Sequence, residues 1–84
     1  MRYAAEQALG RAQHGLGVMY LFGEGVEKDA TQAIHWLELA GESGLAGAWS
    51  TLGMMFMEAQ GVEQDSEKAK EYYLKAGFNP DEFA

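Results

Sequence analysis

Apolar side chains between residues 9 and 22 recur at steps of three and four positions. This spacing places them along one side of an α-helix. The side consists of Leu9, Ala12, Leu16, Met19 and Tyr20. Glycines at 23 and 25 end the pattern, so we predict a first helix, helix A, over residues 9–22.

A second helical pattern begins after Asp29, whose carboxylate can accept hydrogen bonds from the first free N–H groups of a helix. Apolar positions then follow helical spacing as far as Ala40. Gly41 and Gly44 can adopt the left-handed backbone conformation that commonly ends a helix. We therefore predict helix B over 30–40 and a helical hairpin made of helices A and B, in which the apolar side of helix A packs on helix B.

The hairpin pattern occurs twice. Leu16 reappears as Leu52, and Asp29 as Asp65, each 36 residues later. The second copy predicts helices over 45–58 and 66–76. A period of this length is typical of helical-hairpin repeats and differs from those of leucine-rich units and propeller blades.

The predicted fold class is therefore all-α: an α-α superhelix, or solenoid, of two antiparallel helix hairpins plus the end of a preceding helix. We assign 1–84 as a single repeat domain. Residues 1–8 are the end of the preceding repeat helix, 9–44 are repeat 1, 45–77 are repeat 2 and 78–84 are a tail. Ala8 stands where the incoming turn would carry glycine, and this could fuse residues 3–22 into one longer helix.

Two glycines occupy matched positions inside the predicted A helices, Gly17 and Gly53. Glycine in a helix interior costs about 1 kcal/mol relative to alanine. A close approach of a neighbouring helix would compensate for this cost, so we expect one at both positions.

These residues resemble the Sel-one-like repeat (SLR), a member of the tetratricopeptide-like group of helical hairpins. In repeat 1 the matching residues are Ala12, Leu16-Gly17-Val18-Met19-Tyr20, Gly23-Glu24-Gly25-Val26, Asp29, Ala33, Trp36 and Ala40 to Gly44. In repeat 2 they are Leu52-Gly53-Met54-Met55-Phe56, Gly61-Val62, Asp65, Ala69, Tyr72 and Ala76-Gly77. Repeat 2 departs from the family pattern at Ala59, which replaces the first loop glycine, and at Phe78, where an acid is usual. The resemblance implies stacked helix pairs whose surfaces bind other proteins, with no chemistry of their own in most members.

Composition narrows the choice of partner. The 84 residues include 6 basic and 13 acidic side chains, a net charge of −7. Because nucleic-acid affinity depends on neutralising phosphates with Lys and Arg, DNA and RNA are not expected partners. No apolar run approaches the roughly 20 residues of a membrane span. The chain has no cysteine, and no feature of the sequence assigns a cellular compartment.

A search for chemistry finds no catalytic, cofactor or metal site. The glycine pairs lack the third glycine of a dinucleotide fingerprint. His14 and His35 have neither cysteines nor spaced histidine partners to complete a zinc site. Asp29 and Asp65 lack the ligand spacing of a calcium loop. We therefore predict that the chain is not an enzyme.

Helix A is also apolar on a second side, which corresponds by position to the inner, ligand-binding face of tetratricopeptide-like repeats. We name this set the candidate groove: Arg11, His14, Val18, Leu21, Phe22, Ser50, Met54, Met57 and Glu58. Methionines are flexible and suit a surface that adapts to an apolar or helical segment. The alternative for Val18 and Met54 is packing against the next helix A.

The sequence thus predicts a scaffold or adaptor that binds a protein or peptide segment along the helix A face. The alternative is a purely structural spacer or an oligomerisation unit of a longer solenoid. Solenoids usually need about three repeats with polar ends, and this chain has two without an obvious cap. We therefore expect either a longer parent solenoid or self-association through an exposed end.

Overall fold

The computed structural model describes residues 2–77, with side chains described from residue 8 onward. These residues form four helices: α1 Arg2–Phe22, α2 Ala30–Glu42, α3 Ala46–Met57 and α4 Ser66–Lys75. Helices α1 and α2 form the first hairpin, α3 and α4 form the second, and α2 packs against α3 between them. No strand occurs in this part of the chain, and the all-α architecture of two stacked hairpins is confirmed.

The observed ends of α2, α3 and α4 lie within two residues of the predicted ends. Helix α1 differs, since it starts at Arg2 and continues without a break through the predicted boundary between residues 8 and 9. Gly44, which matches Ala8 by the 36-residue offset, has a φ of 103°. A residue with a Cβ adopts that conformation only with strain, so Ala8 stays helical. The predicted tail, 78–84, lies outside the described residues.

Both helix B elements begin with an aspartate cap, as predicted. The Asp29 carboxylate accepts hydrogen bonds from the backbone N–H groups of Thr31 (3.1 Å) and Gln32 (3.2 Å). The Asp65 carboxylate accepts from the N–H of Lys68 at 3.1 Å. These bonds satisfy donors that the first turn of a helix leaves free.

The C-terminal ends of α1 and α3 have the same backbone hydrogen bonding. In repeat 1 the Glu24 N–H donates to the Met19 carbonyl oxygen, and in repeat 2 the Gln60 N–H donates to the Met55 carbonyl oxygen, both at 2.9 Å. A bond of this span past a residue of positive φ is the Schellman ending of a helix. The repeats are therefore equivalent in backbone as well as in sequence.

Close contact inside each hairpin depends on one glycine. A Cβ added at Gly17 would lie 2.6 Å from Cγ of Leu37 on α2. One added at Gly53 would lie 2.9 Å from Cε2 of Tyr73 on α4. Because real Cβ atoms do not come that close to a neighbour, the expected role of both glycines is confirmed.

The core lies where the two hairpins meet. Its fully buried side chains come from α2, α3 and α4 and are Ala33, Leu37, Ala40, Ala48, Leu52, Met55 and Ala69. At the end of this layer the indole of Trp49 lies directly on Gly41, where no side chain would fit. Small residues on α2 thus let α3 pack closely against it.

Stacked aromatic rings pack α4 against this core. The ring of Tyr72 stacks between those of Trp49 and Phe56, with centroids 6.0 Å and 5.7 Å away. Its hydroxyl donates to a carboxylate oxygen of Glu38 on α2 at 3.3 Å. Burial, followed by the negative charge and hydrogen bond of Glu38, raises the pKa of Tyr72 to about 12.

One side of α1 is more open than the sequence pattern suggested. Leu9 and Ala12, predicted to pack on helix B, are exposed, whereas Ala48, the counterpart of Ala12, is fully buried. Helix α2 instead contacts the side of α1 that carries Gly17. The reason is positional, because α3 has a hairpin on its N-terminal side and α1 has none among the described residues.

Replacing Ala59 by glycine is expected to stabilise the chain. Ala59 has a φ of +54°, whereas its counterpart in repeat 1 is Gly23, with a φ of +71°. The strain of a Cβ in this region exceeds the extra chain entropy of glycine, so Ala59→Gly should raise the free energy of unfolding by about 1 kcal/mol. Urea denaturation followed by circular dichroism measures the change. Gly23→Ala is the matched reverse substitution and should lower it; equal stabilities for both variants would contradict the account.

Tyr72 should make stability fall at high pH. Its folded pKa, about 12, is above the ordinary tyrosine value of about 10. Its contribution is therefore fully present below pH 10 and is lost as the pH rises through about 12, because the unfolded chain ionises first. The absorbance of tyrosinate should show a step near pH 12 that Tyr72→Phe removes. A step that persists in Tyr72→Phe would contradict its assignment to Tyr72.

Candidate protein-binding groove

The two A helices, α1 and α3, are joined by a side-chain hydrogen bond. The Thr51 hydroxyl donates to the Gly47 carbonyl oxygen at 2.9 Å. The same hydroxyl oxygen lies 3.2 Å from Nε2 of His14, within hydrogen-bonding distance. This contact places His14 between the helices. Thr51 was not among the predicted groove residues, because only the stacking of the hairpins brings it to His14.

The predicted groove residues all lie on α1, on α3 or at the C-cap of α3. Those that are half-buried are His14, Val18, Ser50 and Met54. Those that are exposed are Arg11, Phe22, Met57 and Glu58. Of the exposed set, Phe22, Met57 and Glu58 lie at the C-terminal ends of α1 and α3, whereas Arg11 lies in the middle of α1.

Leu21 differs from the other eight. It is only 3% exposed and belongs to the core, whereas Met57, its counterpart in repeat 2, is 40% exposed. The difference follows from position, since repeat 2 covers the end of α1 and no described hairpin covers the end of α3. Leu21 therefore lies buried beneath the groove and has little accessible surface for a partner to contact.

A cleft of about 400 Å³ lies at the end of α1, where the loop of repeat 2 reaches repeat 1. Its lining residues are Leu21, Phe22, Lys28, Ala59, Gln60 and Gly61. Phe22 is 52% exposed, an unusual condition for a large aromatic side chain. The helical pattern predicted Leu21 and Phe22 but not Lys28 and Gln60, because these two lie in loops, outside the helices that the pattern describes.

One buried polar atom in this cleft wall has no partner. The Oε1 atom of Gln60 is inaccessible to solvent and accepts no hydrogen bond from the described residues. An unpaired buried acceptor costs about 1–3 kcal/mol. Two features of the loop of repeat 2 thus lower the stability of the folded chain: this unpaired oxygen and the positive φ of Ala59.

The rim of the groove is acidic. Exposed carboxylates follow the ends of both A helices, in the loops of repeat 1 and repeat 2, and are Glu24, Glu27, Glu58 and Glu63. Lys28 is the one basic side chain of the cleft lining. A positively charged partner surface is therefore favoured along this edge.

The described residues offer few other kinds of site. Across them, no group of three or more His, Cys, Asp or Glu side chains is arranged to hold a metal ion. Among their helices, none has the length and hydropathy that crossing a bilayer requires.

Comparison with known families agrees with this arrangement of hairpins. The sequence profile of the Sel1 repeat matches residues 10–45 and 52–77. The chain belongs to the Sel1 repeat family. The first matched segment contains most of the first hairpin, and the second begins inside α3 and includes α4. Repeats of this family are generally protein-interaction modules. No curated protein matches the chain at significant similarity.

Two solved Sel1 repeat structures superpose closely on the chain. A Sel1 repeat protein from Oxalobacter formigenes is 34% identical over 88% of this chain, with a TM-score of 0.78. The protein c5321, described as a protective antigen present in uropathogenic Escherichia coli strains and displaying an SLR fold, is 39% identical over 88% of this chain, with a TM-score of 0.72. The chain spans 30% of the first protein and 16% of the second.

Replacing Gln60 by leucine should stabilise the fold. Leu has a similar shape and leaves no buried oxygen without a donor, so the free energy of unfolding should rise by about 1 kcal/mol. Gln64→Leu is the matched control, because the Gln64 side-chain amide does make a bond, donating to the Met57 carbonyl oxygen at 3.0 Å. Urea denaturation should show stabilisation in the first variant only. A loss of stability in Gln60→Leu would mean that the buried oxygen has a donor.

Proposed function

We propose that the chain is a non-enzymatic adaptor that binds a protein segment along the α1 and α3 face. The observation that supports this most directly is Phe22, an aromatic side chain left half in solvent at the edge of a cleft. Large aromatic side chains in such positions dominate the binding energy of protein interfaces. Membership of a family of interaction repeats supports the same function.

The groove suits an apolar or helical segment. Val18 and Met54 are half-buried in the middle of the face, and each still presents part of its surface. Because a methionine side chain is unbranched and flexible, Met54 and Met57 can adapt to different partner side chains. An amphipathic helix laid in such a groove buries its apolar side and leaves its polar side in water.

Charge favours one class of segment over others. The net charge of −7 and the carboxylates of the two loops would repel an acidic peptide and attract a basic one. The partner we propose is therefore a segment with an apolar stripe and basic flanking residues. An apolar side chain of its stripe would enter the cleft and contact Phe22.

The second candidate function is structural, with the repeats acting as a spacer or an oligomerisation unit. The observation that favours it is that the chain spans a minor part of the solved relatives, 30% and 16%. In that case the exposed side of α1 contacts another hairpin and the groove has no specific ligand.

A pair of variants separates the two functions. Once cross-linking has identified a bound segment, its synthetic peptide is titrated calorimetrically against Phe22→Ser and Met54→Ser, with circular dichroism to confirm the fold. If the groove binds it, each variant should weaken binding by about tenfold or more. Leu9→Ser is the matched control, since Leu9 is as exposed as Phe22, at 53%, but lies on another side of α1. Unchanged affinity in Phe22→Ser and Met54→Ser would reject the groove.

A further inference from the structure

The cleft at the end of α1 has two chemically different walls, both made of described residues. The repeat 1 wall is apolar at Leu21 and Phe22 and basic at Lys28. The repeat 2 wall is the loop at residues 59–61. The lining therefore belongs to the junction of the two hairpins inside the chain and to neither of its ends.

The cleft is large enough for a whole amino-acid residue. Its volume, about 400 Å³, lies within the range of small-ligand pockets, about 300–1,000 Å³. The lining offers three different groups to such a residue. They are an apolar surface, a cation and a hydrogen-bond acceptor.

The cation is Lys28, the one basic side chain of the lining. Its sequence neighbours are Glu27 and Asp29, yet its ammonium group forms no ion pair with a described residue. The Asp29 carboxylate already accepts hydrogen bonds from two N–H groups of α2. The glutamates of the rim are not part of the lining. The charge of Lys28 is therefore available to an anion that enters the cleft.

The acceptor is the Oε1 atom of Gln60, which has no hydrogen-bond partner among the described residues. The whole side-chain amide of Gln60 forms no bond to these residues, so no bond fixes its rotation. The last torsion of a glutamine side chain has a broad minimum. Rotation about it can turn the oxygen toward an N–H group in the cleft, and a bound donor removes the cost of an unpaired acceptor.

A C-terminal residue carries the three matching groups on one Cα atom. They are an apolar side chain, a carboxylate and a backbone N–H. An internal apolar residue brings no carboxylate, and an aspartate or glutamate brings one in place of the apolar side chain. The terminal residue of a peptide is therefore the part that matches the whole lining.

We propose that the cleft binds the C-terminal residue of the partner segment, an apolar residue with a free carboxylate. This proposal rests on the adaptor function proposed above and names the part of the segment that enters the cleft. The carboxylate pairs with the Lys28 ammonium group, and the backbone N–H donates to Oε1 of Gln60. The apolar side chain covers the exposed part of Phe22.

The acidic rim determines which residues can precede this terminus. The rim carries four exposed glutamates, whereas the cleft lining carries one lysine. The rim repels acidic residues of a segment and attracts basic ones. A segment with basic residues before an apolar C-terminal residue is therefore complementary in charge to the rim and to the cleft.

Two peptide libraries test the proposal on the full 84-residue chain. Both contain hexapeptides with two N-terminal arginines and four randomised positions, one library as free acids and the other as C-terminal amides. Each is passed over the immobilised chain, and the bound peptides are sequenced by mass spectrometry. The expected result is an apolar consensus at the last position of the free-acid library that is missing from the amide library.

Titrations with single variants then locate the carboxylate. The most enriched free-acid peptide and its amide are labelled with fluorescein at the N-terminus, and binding is followed by fluorescence anisotropy. Amidation should weaken binding by about tenfold, because it removes the charge-assisted contact with Lys28. Lys28→Gln should weaken binding of the free acid by a similar factor and leave the affinity for the amide unchanged.

Lys70→Gln is the matched control for charge. Lys70 is exposed on α4, outside the cleft lining, and its loss changes the net charge by the same amount. This variant should leave the ratio of the acid and amide affinities unchanged. Circular dichroism checks that both lysine variants keep the fold.

Gln60→Leu gives a second readout. Because it removes the acceptor, it should weaken binding of the acid and of the amide alike, by about threefold or more. The same variant should raise the free energy of unfolding of the unbound chain, as predicted above. Opposite effects on stability and affinity would not arise if Gln60 only supported the loop, and unchanged affinity would exclude it as the acceptor.

Other outcomes overturn the proposal. Equal affinities for acid and amide, or an equal effect of Lys28→Gln on both, would exclude a terminal carboxylate at Lys28. An internal aspartate or glutamate enriched in both libraries would assign Lys28 to a side-chain carboxylate instead. Libraries without any enriched peptide would exclude a terminal residue as the occupant.

The groove itself is tested separately with the same peptides. Weaker binding to Phe22→Ser together with equal affinities for acid and amide would support the adaptor function and reject the terminal carboxylate. Unchanged affinity in Phe22→Ser and Met54→Ser would reject both.

Discussion

The closeness of paired helices at Gly17 and Gly53 determines most of this structure. Where each glycine lies, the facing Leu37 or Tyr73 occupies space that a Cβ would need. That closeness brings α2 near enough to α1 for small residues such as Ala33 and Ala40 to be fully buried. A chain of this size can bury only about 60% of its surface on folding, so the contacts within and between hairpins must be made by side chains of well-matched size.

The sequence was most informative where one residue type has one physical use. Asp29 and Asp65 predicted both helix B starts, because a carboxylate just before an apolar helical pattern has few other functions there. Gly17 and Gly53 predicted close contact because glycine inside a helix needs a compensating gain. The extension of α1 to Arg2 was left open, since Ala8 only disfavours a turn.

Contacts that depend on stacking were beyond sequence reasoning. Thr51 reaches His14, and Gln60 reaches the cleft beside Phe22, only because two hairpins lie side by side. Periodicity also assigned Leu9 and Ala12 to a buried side, although burial there depends on what precedes the helix. A helical projection describes a single helix and carries no information about its neighbours. In a repeat protein, burial is therefore better understood by comparing equivalent positions in successive repeats.

The place of Trp49 has a practical consequence. The chain has two tryptophans, one in each hairpin. The indole of Trp49 lies on Gly41 of the preceding hairpin and has the Lys75 ammonium group 4.6 Å from its ring centroid, whereas Trp36 contacts the ring of its neighbour His35. With Trp36 replaced by phenylalanine, the emission of the remaining indole would change when the two hairpins separate. The molecule therefore contains an intrinsic fluorescent probe of the coupling between its repeats.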